Sequence, residues 1–137
     1  MCVFGIGIDV VEVERIVSSI ARHGDAFLDK IFTPAEREYC ESRKIPAIHY
    51  AARFAAKEAV AKALGTGIGR NAGLHDLEIF HDPQGAPKLR LSGAAEAFAN
   101  AHGITNIQIS LTHTQQYAAA NALAIKTEDQ RKKKRMA

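Results

Sequence analysis

Apolar residues recur along the 137-residue chain in two rhythms. One of them fails where it matters. Val3 to Val10, VFGIGIDV, is a short run of β-branched and aromatic residues with two glycines, which predicts a strand that another backbone approaches closely. Val13, Ile16, Val17 and Ile20 then repeat at helical spacing, with Glu12, Glu14 and Arg15 on the other faces, and Gly24 is placed to end that helix. The spacing Thr33, Pro34, Glu36 is a capping box with proline in the first turn, predicting a helix from Pro34 to Ser42. Pro46 opens a further helix that ends at Gly65, a residue suited to the left-handed conformation of a helix C-terminus.

Downstream the pattern turns to strands. Leu77 to Asp82 and Lys88 to Leu91 flank the turn-rich segment Pro83 to Pro87, as a hairpin would. Ser92 is placed to cap a helix over Gly93 to His102, closed by Gly103. Asn106 to Thr112 and Tyr117 to Ile125 read as the last two strands, joined through His113, Thr114, Gln115 and Gln116. The sum is an α+β domain in which helices pack on a small, mainly antiparallel sheet, spanning residues 1–125.

The helix from Pro46 breaks the amphipathic rule. Ala51 to Ala63 holds seven alanines, Phe54, Val60 and four charged residues, Arg53, Lys57, Glu58 and Lys62, so it has almost no polar face to give them. Such a helix is pressed by neighbours on several sides. Burying an ammonium or a carboxylate costs several kcal/mol, roughly, unless it is paired or bound to a ligand. At about 100° per residue, Glu58 and Lys62 lie near one another on one side and Arg53 and Lys57 on another. The helix alone fits two readings: a surface Glu58–Lys62 pair with Arg53 and Lys57 solvated, or an anion site in which a carboxylate holds a divalent cation beside basic groups.

Charge changes this picture little. The formal net charge is +3 and the pI about 9.0, but Arg131 to Arg135 supplies five positive charges and leaves the remainder at about minus two. The basic character belongs to a C-terminal tail, residues 126–137, expected to be solvated and disordered. Cys2 and Cys40 have no metal-ligand spacing and form no disulfide framework, which fits a reducing, cytoplasmic setting. The N-terminus lacks a basic region before its apolar run, and no run approaches a membrane span, so neither signal peptide nor membrane partner is expected.

Three positions stand out for chemistry: Asp9 at the end of an apolar strand, Glu58 on the buried helix, and His113 at a strand end. Two carboxylates and an imidazole can hold a metal or exchange protons. Asp9 also fits a helix cap, and His113 a hydrogen-bonded turn residue. Carboxylate oxygens beside Lys and Arg favour Mg²⁺ shared with substrate phosphates over a structural zinc. The glycines 65, 67 and 69 match neither a Walker loop nor a dinucleotide fingerprint.

Three segments together carry a resemblance. GIGIDVVEVERI (Gly5 to Ile16), RFAAKEAVAKALGTGIG (Arg53 to Gly69) and ISLTHTQQYAAA (Ile109 to Ala120) resemble, in order and spacing, the signature segments of bacterial holo-[acyl-carrier-protein] synthase, the short type of 4′-phosphopantetheinyl transferase. The resemblance implies that family's fold and its reaction in fatty acid biosynthesis. The 4′-phosphopantetheine group would pass from coenzyme A to a serine of apo acyl carrier protein, releasing adenosine 3′,5′-bisphosphate, with Mg²⁺ required.

Residue by residue, it implies that Asp9 and Glu58 hold the metal and that Lys62 stands near the pyrophosphate. Arg53, Gly65, His113 and Thr114 would line the nucleotide site. A metal-bound water, Asp9 or Glu58 could each remove the serine proton. Arg15 and Arg22 fall on the helix that docks the acidic carrier in the family, and a homotrimer with active sites between subunits follows by the same analogy. The residues leave two rivals: a Mg²⁺-dependent phosphoesterase using the same carboxylates, and a nucleic-acid-binding module using the basic tail. The tail lacks the interleaved aromatics that would favour nucleic acid.

Overall fold

A computed structural model describes residues 1–127. The elements run β1 (Cys2–Glu12), α1 (Val13–His23), α2 (Asp25–Ile31), α3 (Pro34–Glu41), α4 (Pro46–Leu64), a 3-10 turn (Leu74–Asp76), β2 (Leu77–His81), β3 (Pro87–Leu91), α5 (Gly93–Ala101), β4 (Ile104–His113) and β5 (Tyr117–Lys126). This is the expected α+β arrangement, with its antiparallel strands divided between two sheets. One has the order β1-β5-β4, and the other is the β2–β3 hairpin.

Most predicted bounds shift by a residue or two. Lys126, taken with the tail, is the last residue of β5 and pairs with Cys2 and Ile104. The remaining tail positions, 128–137, lie outside the described residues. Helix α2 was not foreseen; its seven residues are too few for a periodic pattern to stand out. Ser92 takes the N-cap position of α5 without a side-chain hydrogen bond. The capping box at Thr33 forms as expected, Glu36 N donating to Thr33 Oγ1 and Thr33 N to Glu36 Oε1.

Helix α4 is the centre of the molecule, lying across β1 and β5. Its alanines from Ala51 to Ala63 are buried, and so are Ala118, Ala120, Ala122 and Ala124 on the facing side of β5. Small residues on both surfaces let helix and sheet approach closely. The approach is tightest at β1, where a Cβ on Gly5 would come 2.0 Å from Ala63 O and one on Gly7 would come 2.0 Å from Ala59 O. Only glycine fits there, and the contact sets the register of β1 against the last two turns of α4. The opposite face of β1 presents Ile6, Ile8 and Val10, which are 72%, 66% and 60% exposed.

On its other side α4 is tied down by a buried ion pair, which makes Lys57 neither the solvated lysine nor the anion-site base of the two sequence readings. Lys57 Nζ lies 2.8 Å from Glu36 Oε1, with both side chains fully buried. It also donates to Leu74 O and Leu77 O, each at 2.7 Å. Glu36 Oε2 accepts from Ile79 N at 3.0 Å. One node thus fastens α3, α4, the 3-10 turn and β2 together, with the three donors of the ammonium all used.

Candidate active site

Asp9 lies inside β1, three residues before its end, opposite Ala120 of β5. It therefore does not cap α1; Glu12 takes that position, without a side-chain hydrogen bond. The Gly5 and Gly7 contacts bring Asp9 against the turn of α4 that carries Glu58 and Lys62. Lys62 Nζ donates to Asp9 Oδ1 at 3.1 Å and to Ile8 O at 2.9 Å. The Lys62 side chain stays 51% exposed, against 19% for Asp9.

Burial first, and the negative charge of Asp9 second, push the Glu58 carboxyl above its usual range, with Lys62 opposing. Two carboxylates are thus held close enough to repel, beside one ammonium with a donor to spare. That is the electrostatic condition for binding a cation. Among the described residues no group of three or more His, Cys, Asp or Glu gathers to hold a metal. Two hard oxygen donors suit an ion that keeps most of its water and takes further ligands from a substrate.

Arg53 belongs to a second cluster, on the side of α4 that faces α3 and β2. It is 1% exposed, and its guanidinium carbon sits 3.9 Å from the centre of the Tyr39 ring. Its Nη2 is 3.2 Å from His81 Nδ1, and its Nε is buried without a hydrogen-bond partner. No carboxylate pairs with it among the described residues. Arg43 lies over the same Tyr39 ring at 4.5 Å and donates to the phenol oxygen at 2.9 Å.

His49 and His113 meet edge to face at 5.4 Å beside this group. Burial, then the neighbouring His113 and arginines, holds His49 below the ordinary histidine range. Burial, then Arg53 and Arg43, does the same to His81, with Asp82 opposing. Such an excess of positive charge in a half-buried place suits an anion.

His113 closes β4 and pairs with Ala118. The Thr114 hydroxyl is engaged in the turn, accepting from Gln116 N at 3.2 Å and Tyr117 N at 3.0 Å. Gly65 takes the left-handed conformation (φ 79°, ψ 6°) that ends α4 one turn past Lys62. The residues singled out by sequence therefore fall into two sets. Asp9, Glu58 and Lys62, followed by Gly65, face β1; Arg53 and His113 belong with the basic cluster. Sequence reading missed Tyr39, Arg43, His49 and His81. The available signal was Tyr39 and Arg43, an aromatic and a basic residue close together around the end of α3, next to a helix expected to bury its charges.

Comparison with known proteins identifies the family to which this frame belongs. The family model of the 4′-phosphopantetheinyl transferase superfamily matches residues 5–127. A holo-[acyl-carrier-protein] synthase of Syntrophus aciditrophicus is 48% identical over 118 residues, covering 86% of this chain and 92% of that protein. Among solved structures, the holo-[acyl-carrier-protein] synthase of Neisseria meningitidis superposes with a TM-score of 0.86 at 34% identity, covering 91% of this chain and 100% of that one. The Helicobacter pylori synthase in complex with coenzyme A gives 0.79 at 31% identity, covering 88% and 99%. Matched by the family model over residues 5–127 and sharing its α+β frame with these synthases, the chain belongs to the 4′-phosphopantetheinyl transferase superfamily and, within it, to the holo-[acyl-carrier-protein] synthases.

Proposed function

We infer that this chain transfers the 4′-phosphopantetheine group of coenzyme A to a serine hydroxyl of an apo acyl carrier protein. The observation that carries the reading is the meeting of Asp9, Glu58 and Lys62 on the β1 side of α4 in a chain of this family. In the reaction the serine Oγ bonds to the phosphorus that bears pantetheine. The bond from that phosphorus to the bridging oxygen breaks, and its electron pair leaves with adenosine 3′,5′-bisphosphate. The serine proton passes to a base, and the carboxylates of Asp9 and Glu58 lie in the same cluster. Lys62 has two of its three donors on Ile8 and Asp9, leaving one for a pyrophosphate oxygen.

Asp9 and Glu58 would hold Mg²⁺, which when bound neutralises charge on the leaving phosphate. The crowding of two carboxylates supports that fit. Arg53, His113 and Thr114 would meet the nucleotide end, and Gly65 the turn beside the pyrophosphate. Arg15 and Arg22 are both exposed and lie one above the other on α1, supporting an encounter with an acidic carrier.

The reading includes a homotrimer. Supporting it are the exposed Ile6, Ile8 and Val10, an apolar stripe for a second copy to cover, and the separation of the Asp9 set from the Arg53 set within one chain. A site completed between copies would let Glu58→Gln and Arg53→Ala chains, each impaired alone, gain activity when mixed. The reading also includes work in the cytoplasm, supported by the free thiols of Cys2 and Cys40. No helix among the described residues is long and apolar enough to cross a membrane.

Mass spectrometry of apo carrier protein after incubation with coenzyme A tests the whole. The expected result is the added arm with Mg²⁺ and none without it. Bisphosphate release without a carrier would favour the phosphoesterase rival. Activity surviving removal of residues 128–137 would dispose of the tail-based one.

A further inference from the structure

The buried arginine of the basic cluster is held in an unusual way. A guanidinium inside a protein ordinarily pairs with a carboxylate, because burial without a counter-charge is costly. Arg53 has instead an aromatic face, an imidazole nitrogen and an unfilled Nε. A guanidinium only donates, so His81 Nδ1 must accept and its proton must sit on Nε2. The depressed basicity of His81 agrees with that neutral form.

The holders are themselves held. Tyr39 and His81 stack with ring centres 4.7 Å apart and planes 13° from parallel, and Arg43 ties the Tyr39 hydroxyl. Behind them, Glu36 accepts from Ile79 N. Glu36 and Tyr39 are three apart on α3, hence on one helix face, and Ile79 and His81 are two apart on β2, hence on one strand face. The same hydrogen bond that docks β2 on α3 therefore brings the two rings into register.

We propose that Tyr39 and His81 are positioning residues that fix Arg53 for the anionic, nucleotide end of coenzyme A. The proposal rests on the reading of Arg53 as a nucleotide-binding residue. Arginine carries much side-chain rotamer entropy, and a guanidinium already held by the Tyr39 ring and the His81 imidazole loses less of it on meeting a phosphate. The clamp leaves donors free; a carboxylate in its place would occupy them and repel the ligand.

The test is steady-state kinetics of the full chain with apo carrier protein, varying coenzyme A, alongside thermal unfolding. His81→Phe keeps a ring but removes the acceptor. It is expected to raise KM for coenzyme A about tenfold with kcat within about twofold, the size of one hydrogen bond to a charged group. His81→Asn, which restores an acceptor oxygen, is expected to bring KM back to within about threefold of the parent.

Because His81 acts through Arg53, the Arg53→Ala/His81→Phe double variant should show the KM of Arg53→Ala alone. A raised KM in Arg53→Ala with none in His81→Phe would overturn the proposal and leave the nucleotide reading standing. An unchanged KM in Arg53→Ala would overturn both. A His81→Phe variant that lost only unfolding temperature and kcat would assign the imidazole a purely structural role and also overturn the proposal. Tyr39→Leu is expected to give the same KM-against-kcat split independently of His81, and Tyr39→Phe, which keeps the ring but loses the tie to Arg43, a smaller rise in KM than Tyr39→Leu.

Discussion

Two carboxylate–lysine clusters flank helix α4, built from the same functional groups and finished differently. Around Lys57 every donor is used and both side chains of the ion pair are fully buried. Burial, with a smaller push from Arg53, pulls the Lys57 ammonium towards losing its proton, and Glu36 resists. Around Lys62, five residues on, one donor is free, the side chain is half exposed, and the ammonium pairs with Asp9 while also opposing the raised basicity of Glu58. A saturated cluster has nothing left to offer a ligand and serves the fold. An unsaturated one has spare donors and lone pairs, and its uncompensated charge is relieved by binding.

The seam common to both regions is the sharpest place to break them together. Gly7→Ala forces a methyl group onto the Ala59 carbonyl and is expected to cost about 5 kcal/mol or more, seen as loss of cooperative unfolding in denaturant. Lys57→Met attacks the closed cluster alone. Leaving Glu36 buried without its partner should destabilise the fold by about 3–5 kcal/mol, and the double variant Glu36→Leu/Lys57→Met should recover part of it, because a fully apolar replacement strands no charge.

Glu58→Gln attacks the open cluster alone. Carrier-modifying activity should fall by about 10²–10³ while the unfolding midpoint holds or rises, since the substitution relieves repulsion with Asp9. If Glu58→Gln unfolded the protein, or Lys57→Met left it stable, the contrast between scaffold and site would be lost.

The smallest effect separates the basic cluster from both. His49 and His81 have folded-state basicity below the ordinary value of 6.5. The unfolded chain therefore takes up protons first as pH falls. Their contribution to stability is full above pH 6.5 and is lost as pH drops through the folded-state values. The groups facing them, Arg43, Arg53, His113 and Asp82, are as described above. Chemical unfolding between neutral and mildly acid pH should show the decline, and His81→Asn should make it shallower.

Local chemistry was legible in the sequence because it depends on near neighbours. The Thr33 capping box, the glycine end of α4, the β2–β3 hairpin and the burial of a charged, alanine-rich helix all follow from residues within a few positions of one another. The three signature segments added Asp9, Glu58 and Lys62 as one set, and the structure brings those together. The partners of the buried cations could not be read, because they are contacts between distant segments: Glu36 with Lys57, Tyr39 and His81 with Arg53.

Periodicity tells which side of α4 a charge occupies but not what waits there. Only the packed fold, set by two glycines that let β1 lie on the helix backbone, decided that Lys57 would be sealed in, Arg53 held by a ring and an imidazole, and Lys62 left open. Pairing across the chain is chosen by the geometry of close packing, and sequence spacing carries no record of it.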